Sequence, residues 1–167
     1  MRQLAAAVAA VACLTAGCSS APAQDPGPGQ RRAAVSAASL PPDPRTASAL
    51  LKIATTFNND YGRGDYAPVY ARWDARSQAI ITRAQYVRRH RDCPGAPQTA
   101  ARVESAMPGP HGAWLVDYEI GGQGLTDYWF YVHRHWLFDL VLSNPSSVRL
   151  YRMTPQAYAT AVGCSHG

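Results

Sequence analysis

Apolar positions first recur with a helical period from Leu50 onward. Leu50, Ala54, Phe57 and Tyr61 form one stripe, with Leu51 and Ile53 beside it, which predicts an amphipathic helix. Gly62 and Gly64 stop it. Asp65 then has the chemistry of an N-cap for a shorter helix, in which Tyr66, Val69, Tyr70 and Trp73 repeat the stripe. Thr82-x-x-Gln85 is a capping box, with Ile81 and Tyr86 at the staple positions, and predicts a third helix to about His90. Cys93-Pro94-Gly95 ends it.

The period changes to two after residue 100. Ala101, Val103, Ser105 and Met107 alternate with their neighbours, and Pro108-Gly109-Pro110 with Gly112 makes a turn. Trp114, Val116, Tyr118 and Ile120 share one face of the next strand, and Asp117 and Glu119 share the other. Gly121-Gly122-Gln123-Gly124 is a hairpin loop leading into the aromatic strand Thr126 to Val132. A tight turn at His133-Arg134-His135 leads into a strand from Trp136 to Leu142. Another short strand is expected near Val148 to Arg152. Thr154-Pro155 has the N-cap and N1 chemistry of a last helix, with Gly163 at its end. Helices followed by an antiparallel meander predict an α+β domain: N-terminal helices on a curved sheet of 4–5 strands, plus a short C-terminal helix.

This order resembles the NTF2-like superfamily, also described as SnoaL-like or cystatin-like. The likeness runs from about Thr46 to Leu142. It rests on the long first helix entering Gly62-Arg63-Gly64-Asp65-Tyr66, on the Tyr70 to Trp73 segment, and on the closing hairpin with Trp136-Leu137-Phe138-Asp139. The resemblance implies a cone-shaped half-barrel with an apolar pocket. It implies either a non-catalytic binding module or an enzyme such as an isomerase, hydratase or cyclase, because the fold hosts both.

The N-terminus adds a location. Arg2 precedes an apolar stretch, Leu4 to Ala16, too short to span a bilayer as a mature helix. Leu14-Thr15-Ala16-Gly17-Cys18 is similar to the lipobox of bacterial prolipoproteins. That likeness implies a signal peptide over residues 1–17, an acylated Cys18 and an extracytoplasmic domain anchored to the outer face of the cell membrane. Ala21-Pro22-Ala23 leaves free secretion as the alternative. Residues 19–45 are rich in Ala, Pro, Ser and Gly, and are expected to form a disordered tether spanning roughly 30 Å. Residues 46–167 form the folded domain.

Of the four cysteines, Cys13 leaves with the signal and Cys18 is the anchor. Cys93 and Cys164 remain, and one disulfide between them is expected, closing a loop of about 70 residues and contributing about 4 kcal/mol.

The formal charge of +5 is almost entirely arginine and is scattered along the chain, which argues against nucleic acid as a partner. The partners expected instead are the membrane, through the anchor, and a small apolar ligand or an envelope protein. His133-x-His135 has a metal-ligand spacing but sits at a hairpin tip. His90, in Arg88-Arg89-His90-Arg91, reads as a solvated helix face. No metal or cofactor is expected.

Proton-transfer chemistry needs an ionisable group facing the pocket. Strand parity turns Asp117, Glu119 and Asp139 to water. It leaves Asp127 open, since Trp129 and Tyr131 are as apolar as Tyr128 and Phe130. Asp127 and Asp65 are therefore the catalytic candidates, with Asp60 also near the mouth. Phe57, Tyr61, Trp73, Trp114, Tyr118 and Phe130 are the candidate pocket walls. The expected function is a non-catalytic binding or assembly module of the envelope; the alternative is a SnoaL-like enzyme acting on a small apolar substrate.

Overall fold

A computed structural model describes residues 40–94 and 100–164. The signal stretch, Cys18, Ala21-Pro22-Ala23, the tether up to residue 39 and His166 lie outside the described residues.

Helix α1, Ala47–Gly62, starts where Thr46 Oγ1 accepts a hydrogen bond from the Ala49 amide (3.2 Å), and it buries Leu50, Ala54 and Phe57. Helices α2, Tyr66–Ala71, and α3, Ala75–Gln78, follow. Asp65 stands at the N-cap position of α2, but its carboxylate caps nothing; it lies exposed, 3.7 Å from Arg63 Nε. Helix α4, Arg83–Asp92, opens on both hydrogen bonds of the Thr82–Gln85 box.

Four antiparallel strands pair in chain order: β1 Arg102–Pro108, β2 Trp114–Ile120, β3 Gln123–Val132 and β4 His135–Phe138. The two inner hairpins turn in two residues, and both turns need positive φ. Gly121 and Gly122 adopt it at 58° and 81°, whereas the β3–β4 turn places His133 and Arg134 at 48° and 67°. Register decides the faces. Trp114 lies opposite Trp129, Val116 opposite Asp127 and Tyr118 opposite Leu125, while Trp129 faces Phe138 across the next pair. These residues share the face that packs on α1, where the Phe57 ring meets Trp129 edge-on at 5.2 Å and Phe138 at 4.9 Å. Trp129 and Trp136 are wholly buried, and truncating either to Ala removes about 3–5 kcal/mol.

Three expectations are corrected here. The even alternation in β1 breaks at a register shift between Val103 and Ser105, so Ala106 pairs with Val116 and Met107 is exposed. The strand expected over Trp136 to Leu142 ends at Phe138 and gives way to helix α5, Leu140–Ser143; the strand expected near Val148 is helix α6, Pro145–Tyr151. Caps explain both. Asp139 accepts from the Leu142 amide (2.9 Å), Asn144 accepts from the Ser147 amide (3.0 Å), and Pro145 sits in the first turn of α6. The fold is therefore α+β with a four-stranded antiparallel sheet.

Helix α7, Pro155–Ala161, is capped by Thr154. Cys93 and Cys164 are paired across a separation of 71 residues, with Cα atoms 5.8 Å apart, tying the end of α4 to the end of α7. The disulfide stabilises by restricting the unfolded chain, by about 4 kcal/mol for a loop of this size.

The chain before α1 is not all tether, because Asp43 to Arg45 packs on the β3–β4 margin. Asp43 takes two hydrogen bonds from the Arg72 guanidinium (2.5 and 3.3 Å) and one from the Trp136 amide (3.0 Å). Its own amide reaches the Arg134 carbonyl (2.8 Å), and Tyr131 Oη donates to its carbonyl (2.6 Å). A short acid between prolines can be held in this way because Arg72 supplies its countercharge. Among the described residues, no helix is long and apolar enough to cross a membrane.

Candidate functional site

The pocket walls come from both layers. α1 contributes Phe57, at the end of its buried stripe, with Asn58 and Tyr61. β2 contributes Tyr118 and Ile120, and β3 contributes Leu125, Thr126 and Asp127. Val69 and Trp73 close one side, and Tyr86 and Tyr151 another. The cap that starts α6 places Asn144 to Ser147 along the rim. The cavity holds about 430 Å³, inside the usual range of small-molecule sites, roughly 300–1,000 Å³.

Asp127 is its distinctive group. The residue lies opposite Val116 on the buried face and is only 5 % exposed. Tyr118 Oη donates to Asp127 Oδ1 at 3.3 Å, and among the described residues no other side chain hydrogen-bonds to the carboxyl. Burial pushes the acid up from the ordinary carboxylate range to about 7, and the Tyr118 hydrogen bond offsets only part of that rise. Tyr118 is itself raised, first by burial and then by the charge of Asp127. A carboxyl that titrates near neutrality can both donate and accept a proton at the pH of most cells.

The other acids are placed differently. Asp117 faces the opposite side of the sheet, taking hydrogen bonds from Ser105 (2.8 Å) and Thr126 (2.7 Å), and Glu119 pairs there with Arg102 (2.9 Å). Parity is right for these two. It fails for Asp139, which is buried as the α5 cap and takes a hydrogen bond from Arg76 Nη2 (2.6 Å). Asp65 does not reach the cavity. Asp60 lines a separate groove with Lys52 and Arg72 and is bridged to Arg63 (2.5 Å); burial raises its pKa.

Phe57, Tyr61, Trp73 and Tyr118 thus line the cavity, and Trp114 and Phe130 do not. Trp114 packs edge-on against Trp136, 5.4 Å away at the other end of the sheet. Phe130 lies on the opposite face from Asp127 and Trp129, since neighbours along a strand alternate. The sequence reading missed Tyr86 and Tyr151. The staple position of Tyr86 and the strand expected over Val148 to Arg152 place neither in the cavity; the Asn144-Pro145 start of α6 is the signal that points to Tyr151.

His90 is not solvated. It is 6 % exposed, shares a 2.7 Å hydrogen bond with Tyr151 Oη and stacks on Tyr66. Burial lowers it to about 4, so it is neutral at physiological pH. Neighbouring Arg89 caps α6, donating to the carbonyls of Leu150, Tyr151 and Met153. His135 stands 3.8 Å from Asp43, and no group of three metal-ligating side chains occurs among the described residues.

The chain matches no known family model, no curated protein and no solved structure.

Proposed function

We propose that this chain is a membrane-tethered domain on the outer side of a bacterial envelope, with an NTF2-like curved sheet whose cavity takes up a small, largely apolar molecule. The observation that carries this reading is a cavity of about 430 Å³ walled mainly by aromatic and aliphatic side chains, with a single carboxyl among them. The location rests on the Leu14 to Cys18 motif. Intact-mass analysis of the native protein tests it: the expected species begins at an acylated Cys18, and an unmodified chain beginning at Gln24 overturns the anchor.

A second reading is favoured by Asp127. The non-catalytic expectation rests on parity turning Asp117, Glu119 and Asp139 to water and leaves Asp127 open; the β2–β3 register puts Asp127 on the cavity. A SnoaL-like enzyme could use its carboxylate to accept a proton from a bound carbon acid, with Tyr118 Oη, 3.3 Å away, holding it in position. Turnover of apolar ketones, epoxides and enol ethers separates the two readings. A binding module takes up such molecules unchanged; turnover that vanishes in Asp127→Asn while uptake persists makes the enzyme the better description.

A further inference from the structure

Sixteen Lys and Arg residues oppose eleven Asp and Glu in this chain, yet among the described residues no Lys, Arg or His lines the main cavity. Among the described residues, two other carboxyls with little exposed side chain each meet a cation. Asp43 has Arg72 and Asp139 has Arg76. Asp127 has only the neutral hydroxyl of Tyr118, on Oδ1. Its Oδ2 accepts no hydrogen bond among the described residues, although the residue is as buried as Asp139. Among the described residues, a buried carboxyl in an arginine-rich protein lacks a countercharge where it borders a cavity.

The surrounding walls suit a positive charge. Trp73, Tyr86 and Tyr151 form a contiguous aromatic surface, with ring centroids 4.7 Å apart for Trp73–Tyr86 and 5.6 Å for Tyr86–Tyr151. Phe57 and Phe138 form another, and both surfaces border the cavity. Aromatic faces carry negative potential and attract ammonium groups, most strongly where water is excluded.

We propose that the ligand of this cavity is an organic cation, its ammonium group set against Asp127 and its apolar body lying on the aromatic walls. The inference rests on the reading of the cavity as a ligand site and narrows it to one chemical class. A neutral guest leaves the carboxylate unpaired or keeps it protonated. An alkylammonium supplies the missing charge and a donor for Oδ2.

The pH behaviour follows. The titratable groups that line the cavity with Asp127 are Tyr118 from β2, Tyr61 from α1, Tyr86 from α4 and Tyr151 from α6, and burial raises all four. His90, behind Tyr151, titrates near 4. None of these changes charge between pH 6 and 8, so among the described groups lining the cavity Asp127 sets the response in that window.

The test is calorimetric titration with hexylammonium and with 1-hexanol, which match in shape and differ in charge. At pH 8 the protein is expected to bind hexylammonium at least tenfold more tightly. At pH 6 the preference shrinks, and binding releases a proton, read from two buffers of different ionisation enthalpy. Asp127→Asn is expected to bind both probes alike, and its hexanol binding reports an intact fold. Equal binding of the two probes by the parent overturns the cation assignment while the ligand site stands. A preference that survives in Asp127→Asn overturns the role of Asp127. Binding of neither probe overturns both the assignment and the ligand site.

Discussion

The β4 margin and the β3 centre each bury carboxylates, and they treat them in opposite ways. At the margin, Asp43 and Asp139 are clamped: each meets an arginine and at least one backbone amide. At the centre, Asp127 is equally buried and meets one phenol. The margin acids hold parts together, joining the segment before α1 to α2 and the α3 helix to α5. The central acid joins nothing that its neighbours on β2 and β3 do not already join. A buried charge without a structural partner destabilises the fold, and such groups collect where a protein handles something other than itself.

Four substitutions sharpen or break this contrast. Arg72→Ala strips Asp43 of its cation inside the fold, and a loss of about 3–5 kcal/mol is expected in urea unfolding. A loss under 1 kcal/mol would remove the margin acids from the structural class. Asp127→Asn is expected to act in the other direction. Its folded pKa of about 7 lies above the ordinary 3.8, so the native state keeps a proton that the unfolded chain has released. Stability therefore falls as pH rises from about 4 to 7, and the amide abolishes that slope. The expected gain is about 1–3 kcal/mol at pH 8, after allowing for the unsatisfied amide hydrogens, and there is no gain at pH 4. Chemical denaturation at both pH values reads it; destabilisation at pH 8 puts Asp127 with the structural acids.

Asp139→Asn keeps an α5 cap but loses the charge facing Arg76. Because Arg76 is half exposed, a loss of only about 1 kcal/mol is expected from the same measurement. Tyr118→Phe removes the one hydrogen bond that the Asp127 carboxyl accepts among the described residues. The carboxyl is then expected to titrate higher still, seen by NMR of its side-chain carbon, with a stability change of about 1 kcal/mol or less. An unchanged titration breaks the link between them.

Much of the framework was legible because it is local. The α1 stripe, the Thr82–Gln85 box, the Thr154-Pro155 start and the parity of β2 are each written within a dozen residues. The Cys93–Cys164 pairing was reached by elimination. The cavity was harder to read. Tyr128 and Phe130 are as apolar as Trp129 and Tyr131, so nothing within β3 says which pair is buried; the register with β2 and β4 decides it and carries Asp127 inward. The α5–α6 rim was misread because short helices have too few turns to show a period. Their caps, Asp139 and Asn144-Pro145, were the legible clue. His90 looked solvated among arginines because one helix face can bury a histidine while its neighbours point outward.

The clamp at Asp43 also decides where a mechanical load enters the domain. A pull applied through the chain before Leu40 reaches Asp43 first. Arg72, Arg134, Tyr131 and Trp136 share it there through side-chain and backbone hydrogen bonds. None of these residues lines the main cavity. A load on this segment is thus met first at the β3–β4 turn and the end of α2.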